Sequence, residues 1–225
     1  AGVPEAGPQI VRALVAENGP GPASVLGTGQ HAQLADAVLS TGTAAHALDY
    51  DDTTVPLHGH PSAPLLPAVF ALAEARGRSG AALLDAFAIG FEVESNLGSA
   101  LGDSHYHRGW HATATAGTFG VTAACARLAE LNAEQTTHAL GISLSLAAGS
   151  RANFGSMTKP LHVGNAARSG LQSVLLAERG FTATSDAIGG PMGFVQLFTP
   201  DGDETPDRLA SLGEGWSIVE PGINV

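Results

Sequence analysis

"HATATAGTFGVTAACARL", residues 111–128, decides how the rest of the chain is read. Ala, Thr and Gly dominate it, and no charged residue stands between His111 and Arg127. So few bulky side chains cannot fill a loose core. They suit a helix whose neighbours come close enough for backbone to touch backbone, in a tightly packed helical domain or a helical subunit interface. "GNAARSG", residues 164–170, has the same texture.

Working outward, helical spacing recurs nearly throughout. Residues 33 to about 50 are Ala-rich with apolar positions at helical intervals. A helix over Pro64–Arg76 is stopped by Gly77. Ser79 can cap "GAALLDAFAIGFEVESNLGSAL", and a further helix fits His111–Leu131. Asn132 with Gln135 reads as a capping box for a helix reaching about Ala148. Pro160 suits the first turn of a helix that ends at Arg179 before Gly180. Only "FVQLF" (194–198) and "WSIVE" (216–220) read as strands, and residues 1–30 and 199–214 read as loop. No repeat is evident. The expected fold class is all-α, within a length that allows one large domain or two small ones.

The totals narrow the function. Hydrophobic residues make up 44% and charged residues 14% of the 225, so the chain is globular and more buried than average. A net charge of −11 argues against nucleic acid, which needs a basic face. No apolar run approaches the roughly 20 residues of a membrane span, and the N-terminus lacks the pattern of a secretory signal. The single Cys125 lies in "VTAACARL". It reads as a small core residue rather than a nucleophile, and fits a cytoplasmic protein without disulfides.

Seven of the nine histidines fall in three windows. "HALDYDDTTVPLHGHPSAP" holds His46, Asp49, Asp51, Asp52, His58 and His60; "HYHRGWHATATAG" holds His105, His107 and His111. "SMTKPLHVGNAARSG", residues 156–170, holds His162 and Lys159, the one lysine of the chain. Clustered titratable groups in apolar sequence mark a candidate site. A lysine at a helix start adds its charge to free backbone N–H groups, which makes an anion clamp. His111 opens a helix, where an imidazole is biased toward its neutral form and serves as a base. His105 and His107 read as loop residues, and Glu92 and Glu94 as helix surface or structural groups. The Asp/His window would also suit a divalent ion, but no metal-ligand spacing is recognisable. Acid–base work by a histidine oriented by a carboxylate is the preferred reading, with no metal or cofactor.

Taken together, "GTAAHALDYDDT", "HPSAPLLPA", "GFEVESNLG", "HYHRGWHATATAGTFG" and "MTKPLHVGNAARSGL" resemble the MmgE/PrpD enzymes in order and spacing. That family includes 2-methylcitrate dehydratase, cis-aconitate decarboxylase and iminodisuccinate epimerase. The resemblance implies a cofactor-independent homodimer in which a large helical domain joins a smaller α/β lid. It implies pocket residues Asp49, Thr53, His60, His111 and Lys159, with His162 in support. Thr54 stands where many relatives have histidine. The family's lid segment would follow residue 225, so residues 1–225 are expected to be the helical N-terminal domain, truncated before the lid.

The expected function is a lyase acting on a small di- or tricarboxylic acid. His60 or His111 would move the proton, Lys159 would hold carboxylates, and Asp49 would orient a histidine or the substrate hydroxyl. Dehydration of a 2-methylcitrate-like acid comes first and decarboxylation of a cis-aconitate-like acid second. An epimerase of an imino or amino diacid needs the same groups. The competing classes are a metal-dependent hydrolase and an incomplete helical module that only dimerises or binds an acid.

Overall fold

The helix at the centre of the molecule is the one the small residues announce. α5 (Ala112–Leu128) is buried on every side except at Arg127. Its threonines cost little there because their hydroxyls turn back onto the helix: Thr118 donates to the Ala114 carbonyl at 2.7 Å and Thr122 to that of Thr118 at 2.8 Å. The computed structural model describes residues 1–199, 209 and 212–224.

Around α5 lie α1 (Ala6–Ala16), α2 (Leu34–Ala45), α3 (Ser62–Arg76), α4 (Gly80–His107), α6 (Ala133–Leu146), α7 (Thr158–Glu178) and the short α8 (Phe194–Phe198). The only sheet among the described residues is an antiparallel hairpin, β1 (Ala23–Val25) with β2 (Gln30–Ala32). The fold is all-α, as expected.

Two close approaches set the arrangement. A Cβ on Gly164 would stand 2.4 Å from the Leu39 carbonyl oxygen, so α2 and α7 touch backbone to backbone. A Cβ on Gly120 would stand 2.8 Å from the Glu94 Cβ, which brings α4 against α5. One apolar core, including Leu65, Leu72, Phe91, Val121 and Leu171, joins α3, α4, α5 and α7. A second, with Leu57, Leu97, Leu101, Phe119, Phe194 and Phe198, lies beneath the loop that follows α2.

The helix ends obey the sequence signals. Gly77 takes the left-handed conformation (φ 60°) after α3. The Ser79 hydroxyl accepts from the Ala82 N–H, and Asn132 and Gln135 form a reciprocal capping box. Other expectations need correction. Residues 1–30 are not all loop: α1 buries Pro8, Val11 and Val15, and its Gly/Pro-rich start hid that spacing. "FVQLF" is helical, because Phe194 and Phe198, four residues apart, share one face over Phe119 and Trp110. "WSIVE" forms turns, and no strand pairs with it among the described residues. The loop expected over 199–214 falls largely outside the described residues.

His105 and His107 also differ from the loop reading. α4 runs past a break at Gly102 (φ 63°, ψ −172°), and both histidines sit in its last turn. His105 is fully buried, bonded to the Phe198 carbonyl and the Thr115 hydroxyl at 3.0 and 2.8 Å. Burial lowers its pKa to about 4, so it is a neutral core group. Glu92 and Glu94 are buried rather than on the surface. Glu92 accepts from the Ser217 N–H at 2.6 Å.

Candidate active site

The site forms where α2 ends and α7 and α5 begin. The Gly42–Gly164 contact makes α2 and α7 cross closely, which carries His46, the C-cap of α2, toward Lys159 in the first turn of α7. Between α2 and α3 the chain runs as a loop, residues 47–61, pinned from three sides. The Thr53 N–H donates to the Asn224 carbonyl at 2.7 Å and Asn224 returns the bond at 2.8 Å. Asp52 accepts from the Ser62 N–H and hydroxyl at 3.2 and 2.7 Å. The His60 N–H donates to the Thr113 hydroxyl at 3.0 Å, close enough that a Cβ on Gly59 would lie 2.6 Å from that oxygen. Asp49 (φ 58°) and His58 (φ 53°) both adopt left-handed backbone, a strained state that non-glycine residues hold where the surroundings enforce it.

This loop, α5 and α7 enclose a cavity of about 460 Å³, lined by Asp49, Thr53, His60, His111, Phe154 and Lys159 among others. Five of the six sequence-derived candidates therefore share one hollow. The sixth, His162, sits behind it, its Nδ1 3.2 Å from that of His111. Lys159, with its side chain only 16% exposed, places Nζ 2.6 Å from both oxygens of Asp49 and 5.1 Å from the Phe154 ring centre. Two of its three N–H groups are thus engaged. The Asp49 Oδ1 lies 3.5 Å from His60 Nε2.

The imidazoles differ in charge. Burial disfavours protonation of His60, but Asp51 and Asp49 outweigh it and hold its pKa above the usual histidine value. His111, buried at the N-cap of α5, is driven down to about 2 by desolvation and by the neighbouring His46, His162, Lys159 and His60. The pocket therefore favours the protonated form of one imidazole and the neutral form of the other, a division that separates an acid from a proton acceptor. Burial alone would raise Asp51, but the two histidines reverse this and keep it ionised far below the usual carboxylate range.

Sequence reasoning missed two kinds of residue. Phe154 and Tyr106 wall the cavity, and Arg151 stacks 3.4 Å above the Tyr106 ring while donating to its carbonyl at 2.6 Å. Arg151 stands just ahead of the third window, but nothing in the local sequence marks Phe154 or Tyr106. In the first window the i, i+3 spacing pairs His46 with Asp49, whereas the structure joins His46 to Asp51 by a 2.7 Å hydrogen bond and leaves the Asp49 Oδ1 3.7 Å away. One donor atom from each of His46, Asp49, Asp51 and His60 lies within 4.8 Å of the others, a set that would suit a divalent ion. The cation that Asp49 holds here is the Lys159 ammonium.

An ammonium, two imidazoles of opposed protonation tendency and a carboxylate on one cavity are groups able to hold an anion and to move a proton. The chain belongs to the MmgE/PrpD family, whose N-terminal domain model matches residues 2–206. It is 36% identical over 193 residues to human cis-aconitate decarboxylase, covering 83% of this chain and 39% of that protein. It is 33% identical over 223 residues to the cis-aconitate decarboxylase of Aspergillus terreus, covering 92% and 45%. It is also 31% identical over 213 residues to the cis-aconitate decarboxylase-like protein oryM of Aspergillus oryzae, covering 87% and 44%. The chain thus spans less than half the length of the curated relatives it matches. No helix among the described residues is long and apolar enough to cross a membrane.

Proposed function

We propose that this chain is the helical domain of a lyase that decarboxylates a small tricarboxylic acid of the cis-aconitate type. The observation that carries the reading is the convergence of Lys159, Asp49, His60 and His111 on one cavity. The names of the relatives favour decarboxylation over the dehydration that the sequence reading put first.

In this reading Lys159 offers its remaining N–H, and its charge, to a substrate carboxylate beside Thr53. Asp49 keeps the ammonium in place and offsets part of its charge until the substrate arrives. The bond between carbon and the departing carboxylate breaks heterolytically; CO₂ leaves, and the electron pair passes to an allylic carbanion conjugated with a remaining carboxylate. His60, the imidazole that keeps its proton, delivers it to that carbon and is reprotonated from water. His111, neutral and next to Phe154, hydrogen-bonds the substrate and adds no further positive charge to those of Lys159 and His60. Carboxylates held against fixed donors in a half-buried hollow gain more than they would in water.

The test is incubation of the full-length protein with cis-aconitate, citrate-like and aminosuccinate-like acids in D₂O, followed by NMR. CO₂ loss with one deuterium in the product is expected. Water loss, or α-proton exchange without CO₂ release, would replace this reading with the dehydratase or the epimerase. Lys159→Met is expected to lower turnover roughly 10²-fold or more with the fold retained; near-normal rates would remove Lys159 from its role.

A further inference from the structure

We propose that Asp51, fixed by His46, is the carboxylate that positions His60 for proton transfer, and that Asp49 serves Lys159 instead. The proposal rests on the lyase reading, in which His60 carries the proton.

The geometry separates the two aspartates. Both oxygens of Asp49 are committed to Lys159 at 2.6 Å, its side chain is 54% exposed, and its nearest approach to His60 is 3.5 Å, at Nε2. Asp51 is the reverse case. Its side chain is 10% exposed, and its Oδ2 lies 3.2 Å from His60 Nδ1 while accepting from His46 Nδ1 at 2.7 Å. A carboxylate only accepts, so His46 donates from Nδ1. Its Nε2 is buried, has no hydrogen-bond partner among the described residues and lies 3.7 Å from the Asp49 Oδ1. His46 is 2% exposed, and its ring meets that of His60 edge-on with centres 4.6 Å apart. One oxygen thus joins two imidazoles. The inner one is buried and does not line the cavity, which leaves it the task of holding the carboxylate charged and aimed. The outer one reaches the cavity with Nε2. Its contact to Asp51 is short but not aligned as a hydrogen bond, since His60 Nδ1 has no such partner among the described residues.

The charged and titratable groups that face His60 are Asp49 and Asp51 from its own loop, Lys159 from α7, His46 from the end of α2 and His111 from the start of α5, with Asp52 beyond Asp51. Asp51 is the strongest of those that favour its proton. Replacing it by asparagine keeps the shape, removes the charge, and should lower the pH at which His60 loses its proton. Turnover needs the protonated ring, so the alkaline limb of the kcat profile should move to lower pH by the same amount.

The experiment is ring-selective NMR titration of His60 in the full-length protein, paired with kcat and KM across pH. Three variants are compared: Asp51→Asn, His46→Leu and His46→Gln. Asp51→Asn should lower the His60 midpoint and cut kcat roughly 10²-fold with KM changed by less than about 3-fold. His46→Leu should produce part of both effects, and His46→Gln, whose amide still donates to Asp51, should restore most of the loss. An unchanged His60 midpoint in Asp51→Asn would overturn the proposal, as would a lowered midpoint with an unmoved alkaline limb. If the midpoint moves as expected but the wild-type protein decarboxylates nothing, the positioning stands and the lyase reading fails.

Discussion

Replacing Glu94 by glutamine should change how stability depends on pH while leaving the packing of α4 on α5 almost untouched. Glu94 is fully buried, and neither of its carboxylate oxygens has a hydrogen-bond partner among the described residues. Burial, and then the nearby Asp52, push its pKa well above the ordinary 4.5. The native state therefore keeps this proton where the unfolded chain has released it. Below the unfolded pKa both states are protonated and the contribution to stability is complete. As pH rises from there the unfolded state binds fewer protons than the native one, and stability falls until the native carboxyl itself ionises. One proton gives a slope of about 1.4 kcal/mol per pH unit. Glutamine cannot titrate, so that slope disappears in Glu94→Gln. Contributions from His105 and His111 are common to both proteins and largely cancel in the difference. Urea unfolding at unit steps from pH 5 to 9 measures it. The variant should gain on the wild type by about 1.4 kcal/mol per unit over the first steps and then level off. A difference that is the same at pH 5 and pH 8 would show that Glu94 is ionised in the fold, and would refute the reasoning.

Four other outcomes follow from the packing and the buried groups. Gly164→Ala places a methyl 2.4 Å from the Leu39 carbonyl and the Thr43 hydroxyl; it should cost about 1–3 kcal/mol. In a chain of this size that is a fall in Tm of about 2–12 °C by circular dichroism. Gly80→Ala, with nothing within 4 Å, should leave Tm unchanged or slightly raised. His105, neutral in the fold with a pKa near 4, contributes stability that is whole above pH 6.5 and is lost as pH falls toward 4. That loss, about 3 kcal/mol from the shift, should be missing from the acid limb of urea unfolding in His105→Phe. Cys125 is fully buried with its thiol pushed up to about 12. A thiol reagent should leave Cys125 unlabelled in the native protein and label it after denaturation.

Much of the framework was legible because helix boundaries are written locally. Ser79, Asn132 with Gln135 and Gly77 each act within a few residues of themselves, and each does what its type predicts. The errors arose where distant contacts outweigh local composition. α1 begins among glycines and prolines, yet it forms because Val11 and Val15 pack with Leu39 of α2 and with Leu161 of α7. Phe194 and Phe198 read as strand by propensity, and the partner that makes them a helix is Phe119, some 75 residues earlier. His105 reads as a loop group beside two polar neighbours, but the turn after Gly102 rotates it into the second core.

By itself the sequence determined the all-α class, the helix caps, the family and the list of groups able to do chemistry: a lone lysine, clustered histidines and a run of aspartates. Those follow from residue type and short spacing. Only the tertiary structure decided the partnerships among them. Asp49 and Asp51 are two residues apart and chemically identical, yet the left-handed turn at Asp49 and the crossing of α2 with α7 send one carboxylate to Lys159 and the other between His46 and His60. Which carboxylate meets which cation depends on the positions of three chain segments in space, and no local rule carries that information.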